Sequence, residues 1–110
     1  IGEASRMCKI MSKELKIPVI VLSQLSRALK DRTSYTPRLT DLRESGDIEQ
    51  DADVVILLHR DGYYDPEADQ KEAKAYVAKN RDGNTGVVKY SWYKDRNIFA
   101  ENTDPNCEIM

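Results

Sequence analysis

Two stretches of the sequence carry side chains suited to contacting nucleotide phosphates. Ser23 and Gln24 directly follow the apolar run "VIVL" at 19–22, and the uncharged amide of Gln24 can hydrogen-bond a phosphate oxygen. Lys79 and Arg81 stand at the tip of a predicted hairpin, where they can reach a neighbouring subunit. Because arginine is the donor suited to stabilising a transferring phosphoryl group, this tip is a candidate catalytic element.

The stretch "RESG" at 43–46 offers a second kind of phosphate contact. Arg43 supplies a positive charge, and the N–H groups around Ser45 and Gly46 can donate to further phosphate oxygens, since glycine permits a close approach. This combination is typical of a loop that follows the backbone of a nucleic acid.

Each of these stretches also has a purely structural interpretation. Gln24 can be an amide that is satisfied at a strand end, and the tip at 79–81 can be a solvated turn. The charges at 43–46 can face water around a capped turn between two helices. Residue types and spacing alone leave these alternatives open.

Other kinds of active site lack their motifs in this chain. No G-x-x-x-x-G-K-[ST] occurs, so the chain contains no phosphate-cradling loop and is not expected to bind ATP tightly by itself. The triplet at 59–61 begins like a protein kinase catalytic loop, but Pro66 stands where that loop requires Asn, so His59 is interpreted as structural. The acidic residues form no metal-ligand cluster, and no metal site is predicted.

Composition limits the class of protein further. The chain has 110 residues, which suits a single domain, and its formal net charge of -2 provides no general basic field for a polyanion. Cys8 and Cys107 form no C-x-x-C pair and indicate neither a zinc site nor a disulfide, which favours a reducing cytoplasm. No apolar stretch approaches the roughly 20 residues that span a membrane, so no membrane partner is expected.

Helices and buried strands are predicted around Gln24 and the stretch at 43–46. Apolar residues at helical spacing predict an amphipathic helix over 3–16. The unbroken apolar runs at 19–22 and 54–58 predict strands that are buried on both faces, as in a parallel sheet. Between them, a short helix capped by Thr40 is predicted to end at Gly46 in a left-handed conformation.

The second half of the chain predicts a hairpin. Strand-like runs at 74–80 and 87–93 are joined by turn residues, and a last short strand is predicted over 97–101. The polar stretch at 62–73 shows no packing pattern and is interpreted as a variable excursion. Together these elements predict an α/β layer fold with too few strands for a complete sheet.

Three long blocks resemble, in order, the DnaB-type replicative DNA helicases. They are "IPVIVLSQLSRAL", "LTDLRESGDIEQDADVVILLHRD" and "AKNRDGNTG". The resemblance spans nearly the whole chain and points to the carboxyl-terminal half of that family's RecA-like ATPase domain. It implies a partial RecA-like (P-loop NTPase) α/β sheet with flanking helices and an antiparallel hairpin over 1–101. The remaining residues, 102–110, are polar, contain Pro105 and show no core face, so a disordered tail is expected there.

The resemblance assigns roles to the residues that bind nucleotide. By it, Gln24 senses the γ-phosphate of ATP. Arg81, assisted by Lys79, acts as an arginine finger on the nucleotide of the neighbouring subunit in a homo-hexameric ring. The family's phosphate-binding loop, catalytic glutamate and magnesium-holding aspartate precede the part represented here, so ATP and Mg²⁺ belong to the full-length protein, and this fragment alone is expected to be inactive.

The resemblance also implies a DNA loop and the partners of a replication helicase. It places contacts with single-stranded DNA on Arg43, Glu44 and Gly46, and it implies primase and a helicase loader as partners. Asp47 and Asp82 depart from the family pattern, since neutral residues are usual at both positions, and each can weaken anion binding nearby. The alternatives are another RecA-like ring ATPase and a non-catalytic DNA-binding or ring-assembly module.

Overall fold

Four strands form a single antiparallel sheet in the part of the chain that the structure describes. This computed structural model describes residues 2–24, 37–39 and 46–101. The strands are β1 (Val54–His59), β2 (Glu72–Asn80), β3 (Gly86–Tyr93) and β4 (Ile98–Glu101), and they lie in the order β1-β2-β3-β4. The helices are α1 (Gly2–Leu15), α2 (Gly46–Asp51) and α3 (Asp61–Tyr64). The predicted helix that Thr40 would cap and the predicted tail at 102–110 lie outside the described residues.

Helix α1 confirms the amphipathic helix predicted from the sequence, and its end has a local cause. Lys16 adopts a positive φ of 54°, and the N–H of Ile17 donates to the carbonyl of Ser12 at 3.2 Å. This is the hydrogen-bond pattern of a Schellman motif, which usually places glycine at the left-handed position. Pro18 follows, and its ring cannot continue the helix.

The segment at 19–22 differs from the buried strand predicted for it. Ile20 is 87% exposed and Leu22 is 93% exposed, and no residue of the segment belongs to a strand. A strand requires a neighbour that accepts and donates its backbone hydrogen bonds, and no described residue provides one beside this segment. The prediction of a buried parallel strand here is therefore wrong for this structure.

Strand β1 is buried on one face, whereas the sequence predicted burial on both. Val55 and Leu57 are 8% and 4% exposed, but their neighbours Ile56 and Leu58 on the other face are 55% and 67% exposed. The buried pair packs against four partly buried side chains, two of them from the neighbouring strand β2: Leu39, Ala52, Tyr76 and Ala78. On the other face, the described residues leave a groove of about 530 Å³.

The pairing of β1 with β2 contains a bulge that sets the direction of one predicted site residue. Val55 pairs with Lys79, but Ile56 pairs with Val77, so β2 has one extra residue at Ala78. Directly paired residues of antiparallel strands lie on the same face, so the bulge places Lys79 on the α2 side with Val55. Without the extra residue, Lys79 would lie on the same face as Val77.

The predicted hairpin and last strand are confirmed. Strands β2 and β3 pair from Glu72 with Ser91 to Val77 with Gly86. Strand β4 adds to the other edge of β3, where the rings of Trp92 and Phe99 pack with centroids 4.6 Å apart. Such cross-strand aromatic pairs contribute roughly 0.2–1 kcal/mol to sheet stability.

The stretch predicted as an unpacked excursion has defined local structure. After α3, the side chain of Asp65 accepts a hydrogen bond from the N–H of Glu67, and the side chain of Asp69 accepts one from the N–H of Lys71, each at 2.9 Å. Short acidic side chains satisfy nearby backbone donors in this way at turns. The sequence suggested a variable segment because it showed no apolar packing pattern. Hydrogen bonds to the two aspartate side chains order the segment instead.

The left-handed stop predicted at Gly46 is also corrected. Helix α2 begins at Gly46, and no described glycine has a positive φ. The residue is therefore the first of a helix, and its backbone is helical where the sequence predicted a left-handed stop.

No helix among the described residues is long and apolar enough to cross a membrane.

Adjacent leucines of β1 provide a test of this architecture. We expect Leu57→Ala to lower the free energy of unfolding by about 2–5 kcal/mol, because it removes a buried side chain and leaves a cavity. Leu58→Ala should cost roughly 0.5 kcal/mol, because that side chain is largely exposed. Urea unfolding of the 110-residue chain measures both. Equal losses would show that both faces of β1 are covered.

Candidate functional site

Arg81 lies at the start of the loop between β2 and β3 and is held by one acidic residue. Its backbone N–H donates to the carbonyl of Asp53 at 2.9 Å. Its Nη1 lies 2.7 Å from Oδ1 of the same residue, and its side chain is 49% exposed. The antiparallel pairing of β1 with β2 creates this contact, since Asp53 immediately precedes β1 and Arg81 immediately follows β2.

The carboxylate of Asp53 also receives a second cation. Nζ of Lys9, from α1, donates to the same Oδ1 atom that Arg81 contacts. The hydrogen bond from Lys9, together with the positive charges of Lys9, Arg81 and Lys13, outweighs the opposing effect of burial and holds the pKa of Asp53 below its usual value of 3.8. Asp53 is thus a charged junction between α1, the start of β1 and the end of β2.

Lys79 faces α2 and binds its carboxyl-terminal carbonyl groups. Its Nζ donates to the carbonyl of Glu49 at 2.7 Å and to that of Gln50 at 3.3 Å. The last carbonyl groups of a helix lack partners within the helix and carry its negative dipole end, so an ammonium group stabilises them. The bulge at Ala78 makes this contact possible by turning Lys79 towards α2.

The loop that carries Arg81 is braced from within. The side-chain amide of Asn80 donates to the carbonyl of Asn84 at 3.2 Å, and the N–H of Gly83 donates to the carbonyl of Asn80 at 3.4 Å. A Cβ at Gly83 would lie 2.7 Å from the Asn80 amide nitrogen, so glycine leaves room for this brace. Asp82 is exposed.

The structure brings Lys79 and Arg81 to one end of β2 but does not join Gln24 to them. Gln24 is exposed, and the hydroxyl of Ser23 donates to its backbone carbonyl at 3.4 Å. No hydrogen bond links Gln24 to either cation in the part of the chain that the structure describes. The role of Gln24 as a phosphate sensor therefore stays a prediction.

The predicted DNA loop is described only at its end. Gly46 is the first residue of α2, whereas Arg43 and Glu44 lie outside the described residues. Helix α2 has six residues, a length of about 9 Å. Because Lys79 binds the carboxyl-terminal end of this helix, α2 connects Gly46 to the end of β2.

His59, the first residue of the kinase-like triplet, lies inside a structural contact. Its side chain is 2% exposed, and Nε2 lies 2.6 Å from Oδ1 of Asp61, which begins α3. Burial acts to lower the pKa of nearby Lys74, but the ion pair with Glu72 and the charge of Asp61 raise it on balance. This cluster ties the end of β1 to α3, which agrees with a structural role for His59.

The groove on the open face of the sheet is separate from the predicted site residues. Its lining is mainly apolar and includes Ile56, Leu58, Val77, Val88 and Tyr90, without Gln24, Lys79 or Arg81. No group of three or more His, Cys, Asp or Glu residues is placed to hold a metal ion within the described ranges. The predicted nucleotide contacts Lys79 and Arg81 therefore lie outside this groove.

Sequence reasoning missed Asp53 and Lys9 as members of this site. The signal for Asp53 was present, because it directly precedes the run "VVILL" and antiparallel pairing of that run with the hairpin brings it beside Arg81. Because a parallel sheet was predicted, Asp53 was not identified as a neighbour of Arg81. Lys9 has no comparable signal, since its position depends on how α1 packs against α2.

Comparisons with known proteins identify the family. The DnaB-like helicase C terminal domain family matches residues 1–101. The replicative DNA helicase DnaC of Bacillus subtilis (strain 168) is 46% identical over 101 residues, which are 91% of this chain and 22% of that protein. A probable plasmid replicative DNA helicase of Chlamydia psittaci is 52% identical over 83 residues, or 76% of this chain and 18% of that protein.

Solved structures give the same result. A DnaB-like replicative helicase studied for its interactions with primase superposes with a TM-score of 0.88 at 43% identity, over 92% of this chain and 25% of that one. A second solved structure, of an ATPase domain, gives the same TM-score and identity, over 92% of this chain and 36% of that one.

The chain belongs to the DnaB-like helicase C-terminal domain family. The predicted fold class, a partial RecA-like α/β sheet with flanking helices and an antiparallel hairpin, is confirmed by these structural relatives. The chain spans only about a fifth of the length of the curated relatives that it matches.

Proposed function

We propose that this chain is part of a replicative DNA helicase that couples ATP hydrolysis to translocation on single-stranded DNA and to unwinding of the duplex. Family membership supports this function over that of another RecA-like ring ATPase or of a non-catalytic assembly module. The observation that carries the proposal is the placement of Arg81 on the braced, half-exposed end of β2.

The position of Arg81 supports its proposed role as an arginine finger. A finger must project from a rigid element and reach the nucleotide of another subunit, where it stabilises the negative charge of the transferring phosphoryl group. Arg81 follows directly on β2, whose last residues pair with β1. Its guanidinium is accessible to a neighbouring subunit of the proposed homo-hexamer.

Lys79 assists Arg81 in this proposal mainly by fixing the end of β2. Two of its possible donors bind the carbonyls of α2, which leaves one N–H and a positive charge near the finger. A direct contact of Lys79 with phosphate stays a prediction. In the same proposal, Gln24 senses the γ-phosphate from the end of the exposed segment at 19–22.

The proposal assigns contacts with single-stranded DNA to Arg43, Glu44 and Gly46. Arg43 supplies charge for the phosphate backbone, and Gly46 joins the loop to α2. Since α2 ends at the Lys79 contact, a shift of the loop can be passed to the end of β2 that carries Arg81. Such a link gives a physical route between DNA position and hydrolysis.

The remaining nucleotide machinery is proposed to lie in other segments of the full-length protein. The described residues offer no cluster of magnesium ligands, and the sequence contains no phosphate-binding loop. ATP and Mg²⁺ are therefore proposed to bind through residues that precede this part in the full-length protein, which we expect to act in the cytoplasm. Primase and a helicase loader are proposed partners, and a DnaB-like relative was solved for its interactions with primase.

Replacement of Arg81 tests the proposed function. In the full-length protein, Arg81→Ala should lower ATP turnover by about 10³-fold or more, because the charge that stabilises the transition state is lost. Nucleotide affinity should stay within about twofold. Steady-state hydrolysis and fluorescent-nucleotide titration measure the two quantities.

Arg96 supplies a matched control for that variant. Its guanidinium lies over the Tyr93 ring at 5.3 Å, in the turn between β3 and β4. Arg96→Ala should leave turnover unchanged. If Arg81→Ala also retained its turnover, the assignment of Arg81 as the finger would be wrong.

The DNA loop is tested through the salt dependence of binding. In the full-length protein, Arg43→Ala should weaken binding of single-stranded DNA and reduce the slope of log affinity against log salt by roughly 0.7, the value of one lost phosphate contact. Arg43→Lys preserves the charge and should retain the slope. An unchanged slope in Arg43→Ala would remove Arg43 from the DNA contact.

A further inference from the structure

Asp53 fixes Arg81 at both ends of the residue. The Asp53 carbonyl accepts the backbone N–H of Arg81 at 2.9 Å, and the Asp53 carboxylate holds Nη1 at 2.7 Å. The backbone contact sets where the side chain starts, and the ion pair sets where its guanidinium lies. An arginine side chain has many rotamers, so a second fixed point restricts it strongly.

The ion pair leaves most of the guanidinium available. Only Nη1 contacts the carboxylate, and no other described side chain accepts a hydrogen bond from Arg81. Arginine has five N–H donors, so the donors on Nη2 and Nε remain for the oxygens of a phosphate. An acidic residue that held the guanidinium away from the nucleotide would be expected to bind both Nη atoms, as a bidentate carboxylate does.

Lys9 adds a link from this pair to α1. Its ammonium shares Oδ1 of Asp53 with Arg81, and its side chain is only 18% exposed. A carboxylate that pairs with a largely buried lysine is itself held in place, because the lysine restricts its rotamer. The position of Arg81 thus depends on α1 through Asp53.

We propose that Asp53 is a positioning residue for the arginine finger, holding Arg81 through Nη1 so that its other donors face the nucleotide of the neighbouring subunit. This inference rests on the proposed function of Arg81. Asp53 does not contact the nucleotide itself, so its loss should affect the hydrolytic step and leave the affinity for nucleotide intact.

The test uses Asp53→Ala and Asp53→Asn in the full-length protein. We expect Asp53→Ala to lower kcat for ATP hydrolysis roughly tenfold, because a mispositioned catalytic group loses rate steeply with distance. KM for ATP should change less than about twofold. Asp53→Asn should lose less, because its amide oxygen can still accept a hydrogen bond from Arg81.

Asp51 provides the matched control. Its carboxylate accepts a hydrogen bond from the hydroxyl of Ser5 at 2.7 Å, so it also joins α1 to the α2 region, but it does not contact Arg81. Asp51→Ala should leave kcat unchanged. In an Arg81→Ala background, Asp53→Ala should produce no further loss, since the two residues act through one group.

The outcomes separate this inference from the proposed function. If Arg81→Ala abolishes turnover while Asp53→Ala leaves kcat unchanged or raises it, Asp53 does not position the finger and the function of Arg81 stands. An equal loss in Asp51→Ala would also overturn the inference. If Arg81→Ala retains turnover, both fail. Should Asp53→Ala not fold, the isosteric Asp53→Asn decides by the same criteria.

Discussion

The antiparallel pairing of β1 with β2 is the constraint on which the rest of the structure depends. It creates the small core around Val55 and Leu57, and it brings the start of β1 beside the end of β2. One extra residue at Ala78 then turns Lys79 towards α2. The contacts of Asp53 with Arg81 and of Lys79 with α2 both follow from this register, so the packing that stabilises the sheet also builds the candidate site.

Much of the local structure could be predicted from the sequence, because helical spacing and turn residues act over short distances. The helix before Pro18, the hairpin and the last strand are examples. The one-sided burial of β1 could not be predicted, since an unbroken apolar run looks the same whether one or both faces are covered. The exposed run at 19–22 shows the same limit: its residues favour a strand, but a strand forms only where a partner strand is available.

The candidate site was only partly predictable for a related reason. Arg81 and Lys79 could be identified from residue type and resemblance, and the structure places both at one end of β2. The partner of Arg81 depends on the register between distant segments, so Asp53 was missed.

We propose that Arg81 acts on the nucleotide of a neighbouring subunit. Rings that mix two different variants test this most directly. Full-length Arg81→Ala can be co-expressed with a variant that lacks the lysine of the proposed phosphate-binding loop, with a different affinity tag on each and purification over both. Every ring then contains interfaces with an intact loop from one subunit and an intact Arg81 from the next. We predict that these rings hydrolyse ATP well above the level of either variant alone. Turnover no higher than that of the two parents would contradict the account.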